Sequence, residues 1–64
     1  MASEAEVLEK VGSYCTEKQY TLDDNFRSQF SNKFAAANPD ADINDENTLK
    51  SIKFNLDTAF SATS

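Results

Sequence analysis

The residues at positions 38–47, NPDADINDEN, contain four acidic side chains and no basic one. Acids at alternate positions begin the calcium loops that join two helices, which place oxygen ligands at positions 1, 3, 5 and 12 and a glycine at position 6. Counting from Asp40, Asp42 fits position 3, but position 6 is Asp45 and position 12 is Ser51. The sharp turn and the strongest ligand are therefore both missing. We predict no calcium or other metal here, and interpret the stretch as a polar helix connection.

The remaining reactive side chains do not form a catalytic set. The chain has no histidine, which removes the usual general base, most zinc sites and the common catalytic triads. Cys15 falls on an apolar stripe, where a core thiol is the expected role. The adjacent carboxylates of Asp23 and Asp24 stand where a helix should start, which favours capping over acid–base work. We therefore predict that the protein is not an enzyme and needs no cofactor.

The length and charge of the chain limit the classes of protein to which it can belong. Sixty-four residues make one small helical domain, 1–64, and the formal net charge is −5. The six basic residues are scattered among acids, so nucleic acid is not an expected partner, and acidity weakly favours a basic one. A single cysteine, no long apolar run and no signal-like start predict a cytoplasmic protein that does not enter a membrane.

Helix 1 is predicted over residues 4–17. Ser3 and Glu6 have the spacing of a capping box, in which each side chain satisfies a backbone N–H of the first turn. Gly12 interrupts the helix, which indicates either a close approach of another helix or an early helix end. An apolar stripe recurs at helical intervals: Val7, Leu8, Val11, Tyr14 and Cys15.

Helix 2 is predicted over residues 23–37. Thr21 and Asp24 repeat the capping spacing, and Pro39 prevents the helix from continuing past Asn38. Apolar side chains recur every four residues and form one slowly drifting ridge: Leu22, Phe26, Phe30 and Phe34. We expect the three phenylalanine rings of this ridge to be the centre of the core.

Helix 3 is predicted over residues 45–61, with Asp42, Asn44 or Asp45 as its cap, Ile43 packed back onto the core, and residues 62–64 as a disordered tail. Its apolar face comprises Leu49, Ile52, Leu56 and Phe60. Three amphipathic helices of about four turns pack best as a small three-helix bundle, and the predicted fold class is all-α.

One aromatic residue departs from this pattern. Phe54 lies about 160° from the centre of the helix 3 stripe, on a face that also carries Asp57. It is either covered by another segment, such as the connection around Tyr20, or exposed as single apolar residues commonly are. The functional alternative is an anchor for a protein partner, since aromatic side chains concentrate binding energy at interfaces. Phe54, Tyr20 and Asp57 are the candidate partner-binding residues.

The leading hypothesis is a small acidic protein–protein interaction module, such as an adaptor, an inhibitor or an assembly subunit. The partner is another protein, and a second copy of the chain is a close variant because a small core is often completed by association. The alternative is an acidic DNA mimic that binds a nucleic-acid-binding protein through Asp40, Asp42, Asp45 and Glu46. A degenerate helix-turn-helix DNA binder ranks below both, because net charge opposes it.

Overall fold

The computed structural model describes the backbone of residues 2–63 and the side chains of residues 2–62. It contains three helices and, over this range, no strand: α1 (Glu4–Lys18), α2 (Asp24–Ala37) and α3 (Glu46–Thr63). The predicted all-α three-helix architecture is confirmed, with helix ends within two residues of the predicted ones. The expected disordered tail, residues 62–64, stays a prediction: α3 is assigned up to Thr63, and residue 64 lies outside the described residues.

The helix starts follow local side-chain chemistry. At α1 the Ser3 N–H donates to Glu6 Oε1 at 3.1 Å and the Glu6 N–H donates to Ser3 Oγ at 3.3 Å, which is the predicted capping box. At α2 the cap is Asp23 instead of Thr21, because its Oδ1 accepts from the Asn25 N–H at 3.1 Å. Each start satisfies backbone donors that have no partner inside the helix.

The helix α1 lies between the other two. It packs against both α2 and α3, whereas no Cα of α2 comes within 8 Å of a Cα of α3 among the described residues. The backbones of the two outer helices are thus further apart than either is from α1, and a groove lies between them. A pocket in this groove is lined by side chains of both, including Phe30 of α2 and Asn55 of α3.

The core is formed by α1 and α3. Five of its apolar side chains are at most 2% exposed: Val7, Val11, Cys15, Ile52 and Leu56. Ile43, in the second connection, packs onto this cluster as predicted. The stripes of helices 1 and 3 therefore identified most of the core, and burial of these side chains is its main stabilising contribution. Leu8 is the exception, because this member of the predicted α1 stripe is 38% exposed.

The phenylalanines of α2 are not the centre of the core, so that prediction is wrong. Phe30 and Phe34 are half-buried against the core, and Phe26 is 37% exposed. The residue that α2 buries completely is Ser31, whose hydroxyl donates to the Arg27 carbonyl at 2.8 Å. The reason is geometric: the α3 backbone stays more than 8 Å from α2, and Phe26 is left exposed at the edge of the groove.

Gly12 marks neither a close helix contact nor a helix end. The helix α1 runs six residues beyond it to Lys18, and a Cβ built at this position would meet no atom within 4 Å. The chain leaves α1 through Gln19, which has the left-handed backbone conformation common at helix ends (φ 61°). No helix among the described residues is both long enough and apolar enough to cross a bilayer.

Candidate functional site

Phe54 lies on the outer face of α3. Its side chain is 70% exposed, the largest exposure among the large hydrophobic residues of the described chain. The two α3 residues that anchor the opposite face, Ile52 and Leu56, are fully buried against α1. The ring is therefore presented to solvent by a helix whose other side is fixed in the core, which resolves the two structural alternatives in favour of exposure.

Tyr20 and Asp57 lie together, in a cluster that also includes Tyr14. The hydroxyls of Tyr14 and Tyr20 both donate to the same oxygen, Asp57 Oδ1, at 2.8 and 2.7 Å. The Tyr20 ring stacks on Phe60 with centroids 4.2 Å apart and meets the Tyr14 ring edge-on at 5.9 Å. We call Tyr14, Tyr20 and Asp57 the tyrosine–aspartate link, because it joins α1, the first connection and α3.

The end of α1 places Tyr20 in this link. After the left-handed Gln19, the Tyr20 N–H donates to the Cys15 carbonyl at 2.8 Å, which turns the chain back across the helix end. Such a turn brings a residue of the first connection onto α3 without any regular element. The ring can then lie flat on Phe60, one turn beyond Asp57.

The charge of Asp57 sets the electrostatics of the link. Hydrogen bonds from Tyr20 and Tyr14 stabilise its carboxylate and lower the pKa of Asp57, with the ammonium of Lys18 acting in the same direction. In return, the hydrogen bond to Asp57 and desolvation raise the pKa of Tyr14 to about 12 and also raise the pKa of Tyr20. The Nζ atoms of Lys18 and Lys53 lie 5.9 and 5.5 Å from the Tyr14 ring centroid, within cation–π range.

This geometry separates the three candidate partner-binding residues into two groups. Tyr20 and Asp57 use their polar atoms and, for Tyr20, one ring face in contacts within the protein. Phe54, one turn before Asp57 on α3, is the most exposed of the three. The link therefore holds α3 in position, and Phe54 is the residue with free apolar surface.

The acidic stretch uses two of its carboxylates for local structure. Asp42 Oδ1 accepts from the Asn44 N–H at 2.9 Å, and Asp45 Oδ1 accepts from the Asn47 N–H at 2.9 Å at the start of α3. Asp40 and Glu46 are exposed, and Glu46 pairs with Lys50 at 3.3 Å. Among the described residues, no three acidic or thiol side chains are grouped as metal ligands would be. The stretch connects α2 to α3 and caps α3.

A second apolar surface follows α2, and sequence reasoning assigned it to the core. We call Leu22, Phe26, Phe30 and Phe34 the phenylalanine ridge. Neighbouring rings are in contact, with centroids 6.3 Å apart for Phe26 and Phe30 and 5.7 Å for Phe30 and Phe34. Across the groove lie small or polar α3 side chains, Asn55, Ala59 and Ala62. The groove is thus lined mainly by aromatic rings on its α2 side, whereas short side chains line its α3 side.

Cys15 does not have the properties of a reactive thiol. Its side chain is 2% exposed, and desolvation raises its pKa despite the opposing influence of Arg27. A raised pKa lowers the thiolate fraction at neutral pH, which is the reverse of what a nucleophilic or metal-binding cysteine needs. The role of Cys15 is to fill the core.

One signal for the tyrosine–aspartate link was present in the sequence. A tyrosine on a buried stripe needs a hydrogen-bond partner for its hydroxyl, and Tyr14 stands on such a stripe. The identity of that partner, 43 residues away, depended on the packing of α3. No protein-family model, curated protein or solved structure matches this chain.

Proposed function

We propose that this chain is a non-enzymatic protein–protein interaction module that binds another protein through the outer face of α3. The observation that carries the proposal is the 70% exposure of the Phe54 ring on a helix fixed from behind by Ile52 and Leu56. Burying a phenylalanine side chain contributes roughly 1.5–3 kcal/mol, which is enough for one ring to dominate a small interface.

The tyrosine–aspartate link supports this proposal by making α3 a rigid platform. A ring that is presented on a preorganised helix loses little conformational freedom on binding, and that lowers the cost of association. Tyr20 and Asp57 therefore enter the proposal as residues that position α3. The absence of histidine from the sequence and the raised pKa of Cys15 favour a binding role over a catalytic one. We assign the protein to the cytoplasm, where its single thiol would stay reduced.

The experiment replaces Phe54 with a photo-crosslinking phenylalanine analogue, identifies the protein that it captures in cells, and then measures binding with the purified partner. We expect Phe54→Ala to weaken binding about 30-fold or more, corresponding to a loss of about 2 kcal/mol. Leu8→Ala is the matched control, since Leu8 is another exposed apolar side chain, on α1. Equal affinity of the Phe54→Ala variant and the unaltered protein would remove the proposal.

The DNA-mimic alternative predicts a different response in the same assay. Changing Asp40, Asp42 and Asp45 to asparagine and Glu46 to glutamine removes four charges and preserves capping, because asparagine caps as well as aspartate. A mimic would lose most of its affinity through this change, and its binding would fall steeply with salt. The Phe54-anchored module would retain its affinity and respond weakly to salt.

A further inference from the structure

We propose that a pocket between α1 and α3 binds a small organic acid, with its carboxylate between the ammonium groups of Lys10 and Lys53 and its apolar body on the pocket floor. The inference does not depend on the proposed function, because Phe54 is not one of the residues that line this pocket. The pocket has a volume of about 370 Å³, within the range of roughly 300–1,000 Å³ that is typical of small-molecule sites. A volume near the lower limit of that range fits a compact ligand.

The floor of the pocket is apolar. It is formed by the buried side chains of Tyr14 and Ile52 and the half-buried side chain of Leu49. The Tyr14 hydroxyl donates to Asp57 Oδ1 at 2.8 Å, so this residue offers its ring to the pocket and its polar atom to the tyrosine–aspartate link. The floor is therefore contributed by two helices that the link holds together, and a ligand with an apolar body would bury its surface there.

Two lysines line this pocket from different helices, Lys10 from α1 and Lys53 from α3. Lys10 lies one turn before Tyr14 and Lys53 lies one turn before Asp57, so the hydrogen bond between Tyr14 and Asp57 brings these two turns together. The Lys53 Nζ lies 5.5 Å from the Tyr14 ring centroid, at the edge of the floor. Lys10 is half-buried, whereas the other lysines are exposed. Both ammonium groups are therefore placed beside the apolar floor.

The charges of the lining favour an anion, although the chain as a whole has a formal net charge of −5. Within the part of the chain that the structure describes, neither Lys10 nor Lys53 belongs to an ion pair. Ser13 adds a hydroxyl that can donate a hydrogen bond. The lining contains one carboxylate, that of Glu17, which lies about two turns from Lys10 along α1. A ligand carboxylate at the Lys10 end would accept charge-assisted hydrogen bonds from both ammonium groups.

The test is an NMR titration of the backbone amide signals with naphthoate and, separately, with naphthamide, which has the same rings and a similar shape but no charge. We expect naphthoate to shift the signals of residues 10–17 and 49–53 and to saturate with a Kd of about a millimolar, which is typical of weak binding by a small ligand. Naphthamide should bind roughly tenfold more weakly at low salt, because it forms no ion pair with the two lysines.

Three variants test the charges of the lining. Lys10→Gln and Lys53→Gln should each weaken naphthoate binding roughly threefold and leave naphthamide binding unchanged. Lys50→Gln is the matched control, because Lys50 is an exposed lysine of α3 that does not line the pocket. Glu17→Gln should strengthen naphthoate binding by removing the one repulsive charge, and this gain of affinity is a result that partial unfolding would not produce.

Several results would overturn the proposal. They are shifts that do not saturate or that centre outside the two segments, equal affinity for naphthoate and naphthamide, and naphthoate binding that Lys10→Gln leaves unchanged or that Glu17→Gln weakens. Failure here is distinct from failure of the Phe54 proposal, which is measured with a protein partner. Phe54→Ala should leave the affinity for naphthoate unchanged.

Discussion

The two tyrosines should resist ionisation at a pH where an ordinary tyrosine has lost its proton. Both hydroxyls donate to Asp57 Oδ1, and the structure raises the pKa of Tyr14 from about 10 to about 12. At pH 11 a phenol with a pKa of 10 is about nine-tenths ionised, whereas one with a pKa of 12 is about one-tenth ionised. The expected difference in the ionised fraction at pH 11 is therefore large enough to observe directly in a titration.

The same shift has a consequence for stability, and its sign follows from linkage. Because the pKa of Tyr14 is higher in the folded than in the unfolded chain, the link stabilises the fold fully below about pH 10. That contribution is lost as the pH rises from about 10 through about 12. The raised pKa of Tyr20 acts in the same direction.

The assay is an ultraviolet titration of tyrosinate absorbance, followed in parallel by circular dichroism. The chain has two tyrosines and no tryptophan, so the link is the only source of the signal. Tyr20→Phe leaves Tyr14 as the single chromophore, and its pKa should stay well above 10. Asp57→Asn keeps an oxygen that can accept both hydrogen bonds but removes the charge, and it should return the pKa of Tyr14 toward 10.

One result would refute this reasoning. If both tyrosines of the unaltered protein titrate near pH 10 while circular dichroism shows intact helices, their hydroxyls are not bonded to the Asp57 carboxylate. If instead the helices are lost in the same step as ionisation, and above pH 10, the link is confirmed as a contribution to the fold.

Three further predictions concern stability. Gly12→Ala should raise the free energy of unfolding, measured in urea, by about 0.5–1 kcal/mol. Alanine favours a helix more than glycine does, and the added methyl group meets no neighbour. An unchanged or lower midpoint would contradict the open space beside Gly12. Leu56→Ala should cost about 2–5 kcal/mol out of a total of roughly 3–10 kcal/mol, so thermal melting should show a much lower midpoint. A melt like that of the unaltered chain would argue against Leu56 as a core residue. Acid should weaken the fold as the Asp57 carboxylate is protonated. Because the pKa of Asp57 is lower in the folded chain, the carboxylate contributes stability above about pH 4, and this is lost as the pH falls through the folded-state pKa. A pH series of thermal melts on the Asp57→Asn variant should lack this contribution.

The sequence determined the helices and most of their boundaries. Capping depends on residues within one turn of each other, so the Ser3–Glu6 box could be identified from spacing alone. The cap of helix 3 was predicted only as one of three residues, of which the structure selects Asp45. Apolar periodicity likewise depends on positions within one helix, and it selected the buried faces of α1 and α3 with Leu8 as the exposed exception. These predictions succeeded because the interactions that decide them are local.

Tertiary structure alone decided which apolar stripe is covered. The ridge of α2 recurs at regular helical intervals, as the stripe of α3 does, but periodicity cannot say how closely a third helix approaches. Here α3 packs on α1, and Phe26 remains at the surface. The link between Tyr14 and Asp57 likewise spans 43 residues, so its existence depends on how the helices are placed. Burial and long-range hydrogen bonds are properties of the packed chain, and they decide which apolar side chains remain at the surface.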